Sequence, residues 1–290
     1  MDVMTLITAA ALRDLLATDS PVAVLDVRWA LAHPDGQDAF AAGHIPGAQY
    51  VDLDSQLSDH SRTGLGRHPL PTGSALQESL RSLGVSDGDT VVVYDEAQAA
   101  GSSRAWWTLT AAGVSDVRVL DGGWAAWQAD GGESETGTGR TPTPGDVTVT
   151  RDDLYDGACR VLTEEQVAHT GGLGVLLDAR APERYRGETE PIDPVAGHIP
   201  GAANLPSTAV LDEEGRFLPA DQLREVFAGV GVAQGDGDPV SGAYCGSGVS
   251  AAVLVAAADS VGINLALFPG SWSQWSQDLV DRAASHTGMD

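Results

Sequence analysis

The stretch AAGHIPGA at residues 41–48 returns as VAGHIPGA at residues 195–202. Its surroundings return with it. VAVLDVR (22–28) is answered by VLLDAR (175–180), TVVVYD (90–95) by VSGAYC (240–245), and DGGWAAW (121–127) by PGSWSQW (269–275). Asp26 and Asp178 stand 152 residues apart, Gly43 and Gly197 154, Asp95 and Cys245 150, and Trp124 and Trp272 148. Four matches in one order at nearly constant spacing indicate a duplicated domain. Between the copies, ADGGESETGTGRTPTPGD (129–146) has no apolar period and is rich in Gly, Ser, Thr and Pro, the composition of a linker. The expected organisation is a first domain over 1–129, a linker over 130–146 and a second domain over 147–290.

Within each copy, short continuous apolar runs alternate with helical patterns. VAVLDVR, TVVVYD and VRVLDG read as buried strands; ALQESLRSLGV and SRAWWTLTAAGV read as helices closed by glycine. Such alternation predicts an α/β fold, each domain a mainly parallel sheet flanked by helices. In these sheets ligands gather beyond the carboxyl ends of the strands. Cys245 sits at such an end, and Asp95 at the matching end of the first copy.

The 290 residues carry 41 acidic and 16 basic side chains, a formal charge of -25. This balance argues against nucleic acid or an anionic membrane as partner. A small anionic substrate would need local positive charge or backbone N–H groups. No run approaches the length of a membrane-spanning helix. The first residues, MDVMTLITAAALRDLLATD, lack the basic segment of a signal peptide, so the expected location is the cytoplasm. Two cysteines, Cys159 and Cys245, show neither a disulfide framework nor zinc-ligand spacing.

Cys245 opens CGSGVS (245–250), a loop between a strand and the Ala/Val helix pattern that follows. Gly246 and Gly248 permit a tight turn. With Ser247, Val249 and Ser250 they can aim N–H groups inward as an anion nest. A thiol in such a nest favours its thiolate and is a nucleophile. A tyrosine phosphatase would place arginine six residues after the cysteine, where Ala251 stands. A cysteine protease needs a base and oxyanion hole on another scaffold, and a glutaredoxin-like role lacks CxxC. Cys159 has no glycine loop and no counterpart in the repeat.

Taken together, GHIPGA in both copies, the two LD(V/A)R segments, DGGW and CGSGVSA make the chain resemble a tandem-domain rhodanese, a sulfurtransferase of the thiosulfate/3-mercaptopyruvate group, over about residues 5–280. The resemblance implies an inactive first domain with an acid, Asp95, where the second carries the nucleophile. It implies a persulfide on Cys245 that passes sulfur to cyanide, a thiol or another protein, with no metal or organic cofactor. Gly246 and Ser247 resemble the 3-mercaptopyruvate branch, since thiosulfate enzymes carry Arg and Lys after the cysteine. That branch implies a relay of Ser247, His68 and Asp54, and a carboxylate contact from Arg184. It expects a second arginine where Ile192 stands; Arg186 is the candidate to replace it. Gly246, Gly248, Val249 and Ser250 would complete the substrate-binding loop. The alternatives are thiosulfate as donor, or a persulfide carrier or sensing module that acts by binding a protein. Arg28 and Arg180 are expected to pair with Asp26 and Asp178 inside their own domains.

Overall fold

The computed structural model describes residues 4–96, 98–169, 174–232 and 239–287. The chain separates into two compact units. One comprises residues 1–59, 70–159 and 211–218; the other comprises residues 60–69, 160–210 and 219–290.

The apolar runs of the first unit form strands β1 (Leu6–Ile7), β2 (Val22–Asp26), β3 (Gln49–Tyr50), β4 (Thr90–Tyr94) and β5 (Val117–Leu120). They make a parallel sheet in the order β1-β5-β4-β2-β3. Helices α1 (Ala9–Leu16), α2 (Gln37–Ala42), α3 (Leu53–Gln56), α4 (Gly73–Ser82), α5 (Ala100–Ala111) and α6 (Gly123–Ala129) connect and flank it. Threonine hydroxyls start two of them: Thr8 accepts from the Ala11 amide and Thr72 from the Ala75 amide, satisfying N–H groups that a helix start leaves open. Val24, Val92, Leu120, Phe40 and Trp127 are among the side chains of its core. Residues of the glycine-rich segment run along this unit, the Gly137 amide donating to the Ala41 carbonyl and Gly145 to that of Arg81.

The second unit contains β6 (Leu176–Asp178), β7 (Ala203–Asn204), β8 (Ser241–Tyr244) and β9 (Leu265–Leu267), parallel in the order β7-β6-β8-β9. Its helices are α7 (Glu164–Ala168), α8 (Pro182–Tyr185), α9 (Ala220–Gly229), α10 (Ala251–Asp259) and α11 (Ser271–Thr287). Thr163 and Gln166 form a reciprocal capping box on α7. Every residue of α10 from Ala251 to Ala258 is buried, so this helix is apolar on all faces and fixed by packing.

The duplicated motifs build the same frame in each unit. Arg28 bonds the Asp26 carboxylate and the Gly43 carbonyl and stacks 5.0 Å from the Trp124 ring centroid. Arg180 bonds the Asp178 carboxylate and the Gly197 carbonyl and stacks 4.8 Å from the Trp272 ring centroid. His44 and His198 each place Nδ1 within hydrogen-bond distance of a backbone carbonyl, those of Phe40 and Tyr185. The repeated GHIPGA turn is thus a structural joint, tied by arginine to the end of the strand that precedes it.

Candidate active site

Strand β8 ends at Tyr244, and residues 245–250 turn the chain into α10. The first residues of α11 fasten this turn. The Cys245 amide donates to Ser271 Oγ at 3.1 Å, Trp272 N–H donates to the Cys245 carbonyl at 3.0 Å, and Ser273 N–H to the Gly246 carbonyl at 2.9 Å. Ser271 Oγ in turn donates to the Phe268 carbonyl. The turn bends back on its own thiol: the Gly248 N–H donates to Cys245 Sγ at 3.1 Å. Gly248 has φ +78, and a Cβ there would strike the Pro269 carbonyl. Gly246 has no such backbone demand. Its lack of a side chain leaves space for two guanidiniums, because a Cβ would lie 3.2 Å from Arg67 Nη2 and 3.5 Å from Arg184 Nη1. The two glycines therefore serve different needs, where the sequence suggested one.

Cys245, Ser247 and His68 are all buried. His68 Nδ1 and Ser247 Oγ share a hydrogen bond of 2.7 Å, the donor set by the histidine tautomer. His68 precedes the linker by 62 residues in sequence, yet it belongs to the same compact unit as Cys245, on residues 60–69. That segment is anchored by Arg67 N–H donating to Ser273 Oγ at 2.9 Å. Asp54, grouped with Ser247 and His68 by the family resemblance, lies on α3 of the other unit, half-buried, its amide donating to Asp52 Oδ1.

Arg184 stands on α8, its guanidinium bonded to Glu190 at 2.6 Å and to Asp193 at 3.3 Å. Arg186, the expected stand-in for a second arginine, is half exposed and held bidentate by Glu188 at 2.7 and 2.9 Å. The arginine that does stand beside the loop with Arg184 is Arg67, which no motif in the sequence marks. It pairs with Asp193 at 2.6 Å. Its only signal was its place next to His68 in GRHPLP. Ile192 is exposed. Burial pushes the Glu190 carboxyl up, but the Arg184 guanidinium and the amides of Asp193 and Ile192 outweigh it and hold the group below the usual carboxylate range. Val249 is buried and Ser250 stands at the start of α10.

At the matching strand end of the first unit, Asp95 accepts from Ser102 N and Oγ, each at 3.0 Å. Burial raises its pKa despite these bonds. Arg104, on α5, is fully buried. Cys159 and Cys245 are not joined in a disulfide.

The two halves match the rhodanese-like domain model over residues 8–130 and 163–278, and the chain belongs to that family. It is 53% identical over 273 residues to the "Putative thiosulfate sulfurtransferase SseB" of Mycobacterium tuberculosis, covering 94% of each protein. It is 43% identical over 284 residues to the "Probable 3-mercaptopyruvate sulfurtransferase" of Pseudomonas aeruginosa, covering 94% of this chain and 95% of the other. The crystal structure of SseA from Escherichia coli, described as a 3-mercaptopyruvate sulfotransferase, superimposes with a TM-score of 0.78 at 32% identity, covering 93% of this chain and 99% of that one.

Proposed function

We propose that the chain moves sulfur from 3-mercaptopyruvate to a thiophilic acceptor through a persulfide on Cys245. The chain is a sulfurtransferase, an enzyme that carries sulfane sulfur between a small donor and an acceptor. The observation that supports Cys245 is its buried Sγ at a strand end, with a loop amide on it at 3.1 Å and the Ser247–His68 pair in the same loop environment. The thiolate attacks the donor sulfur. The carbon–sulfur bond breaks, and its electron pair leaves as the enolate of pyruvate, which takes up the proton that the donor thiol carried, relayed by Ser247 and His68. Cys245 then carries the outer sulfur as an anionic persulfide, its charge stabilised by the loop N–H groups, that of Gly248 among them. An acceptor thiolate or cyanide attacks that outer sulfur, the sulfur–sulfur bond breaks, and the thiolate returns. The cycle is ping-pong and redox-neutral. Arg184 enters as a contact for the donor's anionic end.

A second reading, thiosulfate as donor, is favoured by Arg67 and Arg184 beside Gly246 and by the name of the Mycobacterium tuberculosis relative. The neutral, hydroxyl-bearing CGSGV loop favours the ketone-containing donor. The proposed location is the cytoplasm; among the described residues no helix is long and apolar enough to cross a membrane.

Two measurements test this. Intact mass after incubation with donor should show one added sulfur on the wild type and on Cys159→Ser, and none on Cys245→Ser. The ratio of kcat/KM for 3-mercaptopyruvate over thiosulfate, with one acceptor at one pH, should exceed one; a ratio clearly below one reverses the donor and leaves the persulfide chemistry in place.

A further inference from the structure

Three guanidiniums and three carboxylates are gathered in the second unit beside the Cys245 loop. Arg180 pairs with Asp178 and with Glu190. Arg184 pairs with Glu190 and Asp193, and Arg67 with Asp193. Arg67 and Arg184 are the two that flank Gly246. Asp193 is the carboxylate they share, and its side chain is only 3% exposed. Both guanidiniums nevertheless keep a buried Nε–H with no hydrogen-bond partner. A buried donor left open costs free energy. The pair is therefore not saturated by its protein carboxylates, and it has capacity for one more acceptor.

The charge of this group decides what that acceptor can be. The group holds three guanidiniums and three carboxylates, so its formal charges balance. An incoming monoanion leaves the group one charge in excess, and a dianion leaves it two. The buried setting screens this poorly.

We propose that Asp193 is a specificity-determining residue: an internal carboxylate that occupies the Arg67–Arg184 fork and sets the site to accept a monoanionic donor over a dianionic one. This deepens the donor assignment above and rests on it, since 3-mercaptopyruvate carries one carboxylate and thiosulfate two negative charges. Removing the Asp193 charge frees half the fork. Coulomb energy scales with the product of the charges, so the gain in affinity for a dianion is about the square of that for a monoanion.

The test is binding of inert anions to the resting enzyme, which needs no sulfur transfer and reads out whichever donor is used. Isothermal titration compares sulfate and methanesulfonate on the wild type, Asp193→Asn and Asp193→Ser, with Arg67→Gln as the opposing change. The expected result for Asp193→Asn is sulfate tightened about tenfold and methanesulfonate about threefold, with Arg67→Gln weakening both. Asp193→Ser repeats the measurement should the amide misfold. Unchanged or weakened sulfate binding in the folded variants, or an equal gain for the two anions, overturns the proposal. A donor ratio below one in the wild type, with the anion result as expected, would instead overturn the donor assignment alone.

Discussion

A nucleophile on a turn is only as good as the backbone that holds it, and single residues hold the turn of Cys245, the proposed nucleophile. Gly248 supplies φ +78 and has no room for a Cβ against Pro269. A non-glycine residue in that conformation costs about 1–2 kcal/mol from its own backbone, before the steric clash. Gly248→Ala should therefore move the amide that donates to Sγ and depress persulfide formation by at least about tenfold, although Cys245 is untouched; single-turnover kinetics with excess donor would detect this. Gly246→Ala meets only the ends of flexible arginine side chains. It should fold normally and raise KM for the donor with a smaller effect on kcat; an unchanged KM would mean that the guanidiniums do not meet the donor. Ser271 presents a third kind of constraint. It stands at φ +54, where the first copy has Gly123 at φ +55. A strained non-glycine residue there has a visible compensation, its hydroxyl accepting the Cys245 N–H.

At the scale of elements, apolar runs made the central strands of the first sheet legible, because strands buried on both faces tend to be continuous apolar runs, and the repeat offsets carried the reading to VSGAYC in the second, where Ser241 and Gly242 interrupt the run. VAVLDVR, TVVVYD and VSGAYC contain β2, β4 and β8. The Asp–Arg pairing was legible for a related reason: two residues apart at a strand end is a local relation. Arg67 and Asp193 are 126 positions apart. Their meeting depends on residues 60–69 clustering with the second unit, and no periodicity or motif in either segment encodes that path. The local frame carries its own test. Burial raises the Asp26 carboxyl to about 6, against the pull of Arg28 and the Tyr94 hydroxyl. The folded state thus holds this proton more tightly than the unfolded chain. Its contribution to stability is complete below the ordinary carboxylate pKa near 4 and is lost as pH rises through about 6. The slope is at most about 1.4 kcal/mol per pH unit for one proton. Urea titrations of the wild type and Asp26→Asn between pH 4 and 7 should show the wild type losing stability relative to the variant as pH rises. A constant difference between them would show that Asp26 does not hold a proton in this window.

Over the whole molecule, a charge of -25 surrounds a site that must admit an anion. The two influences act at different ranges. The surface carboxylates repel the donor during its approach through water, where salt screens them strongly. In the proposed site Arg67 and Arg184 would act at contact, partly out of solvent, where salt screens less. Raising ionic strength from about 10 mM to about 150 mM shortens the Debye length from about 30 Å to about 8 Å. The repulsion on approach should therefore weaken more than the attraction at the site. With a neutral thiol as acceptor, kcat/KM for thiosulfate should rise roughly two- to fivefold over this range. The rise for 3-mercaptopyruvate, with half the charge, should be smaller. The order of the two slopes should be the same whether chloride or acetate supplies the anion, which separates general screening from occupation of the arginine fork. A fall in kcat/KM with added salt for both donors would show that the local arginines, and not the acidic surface, govern capture.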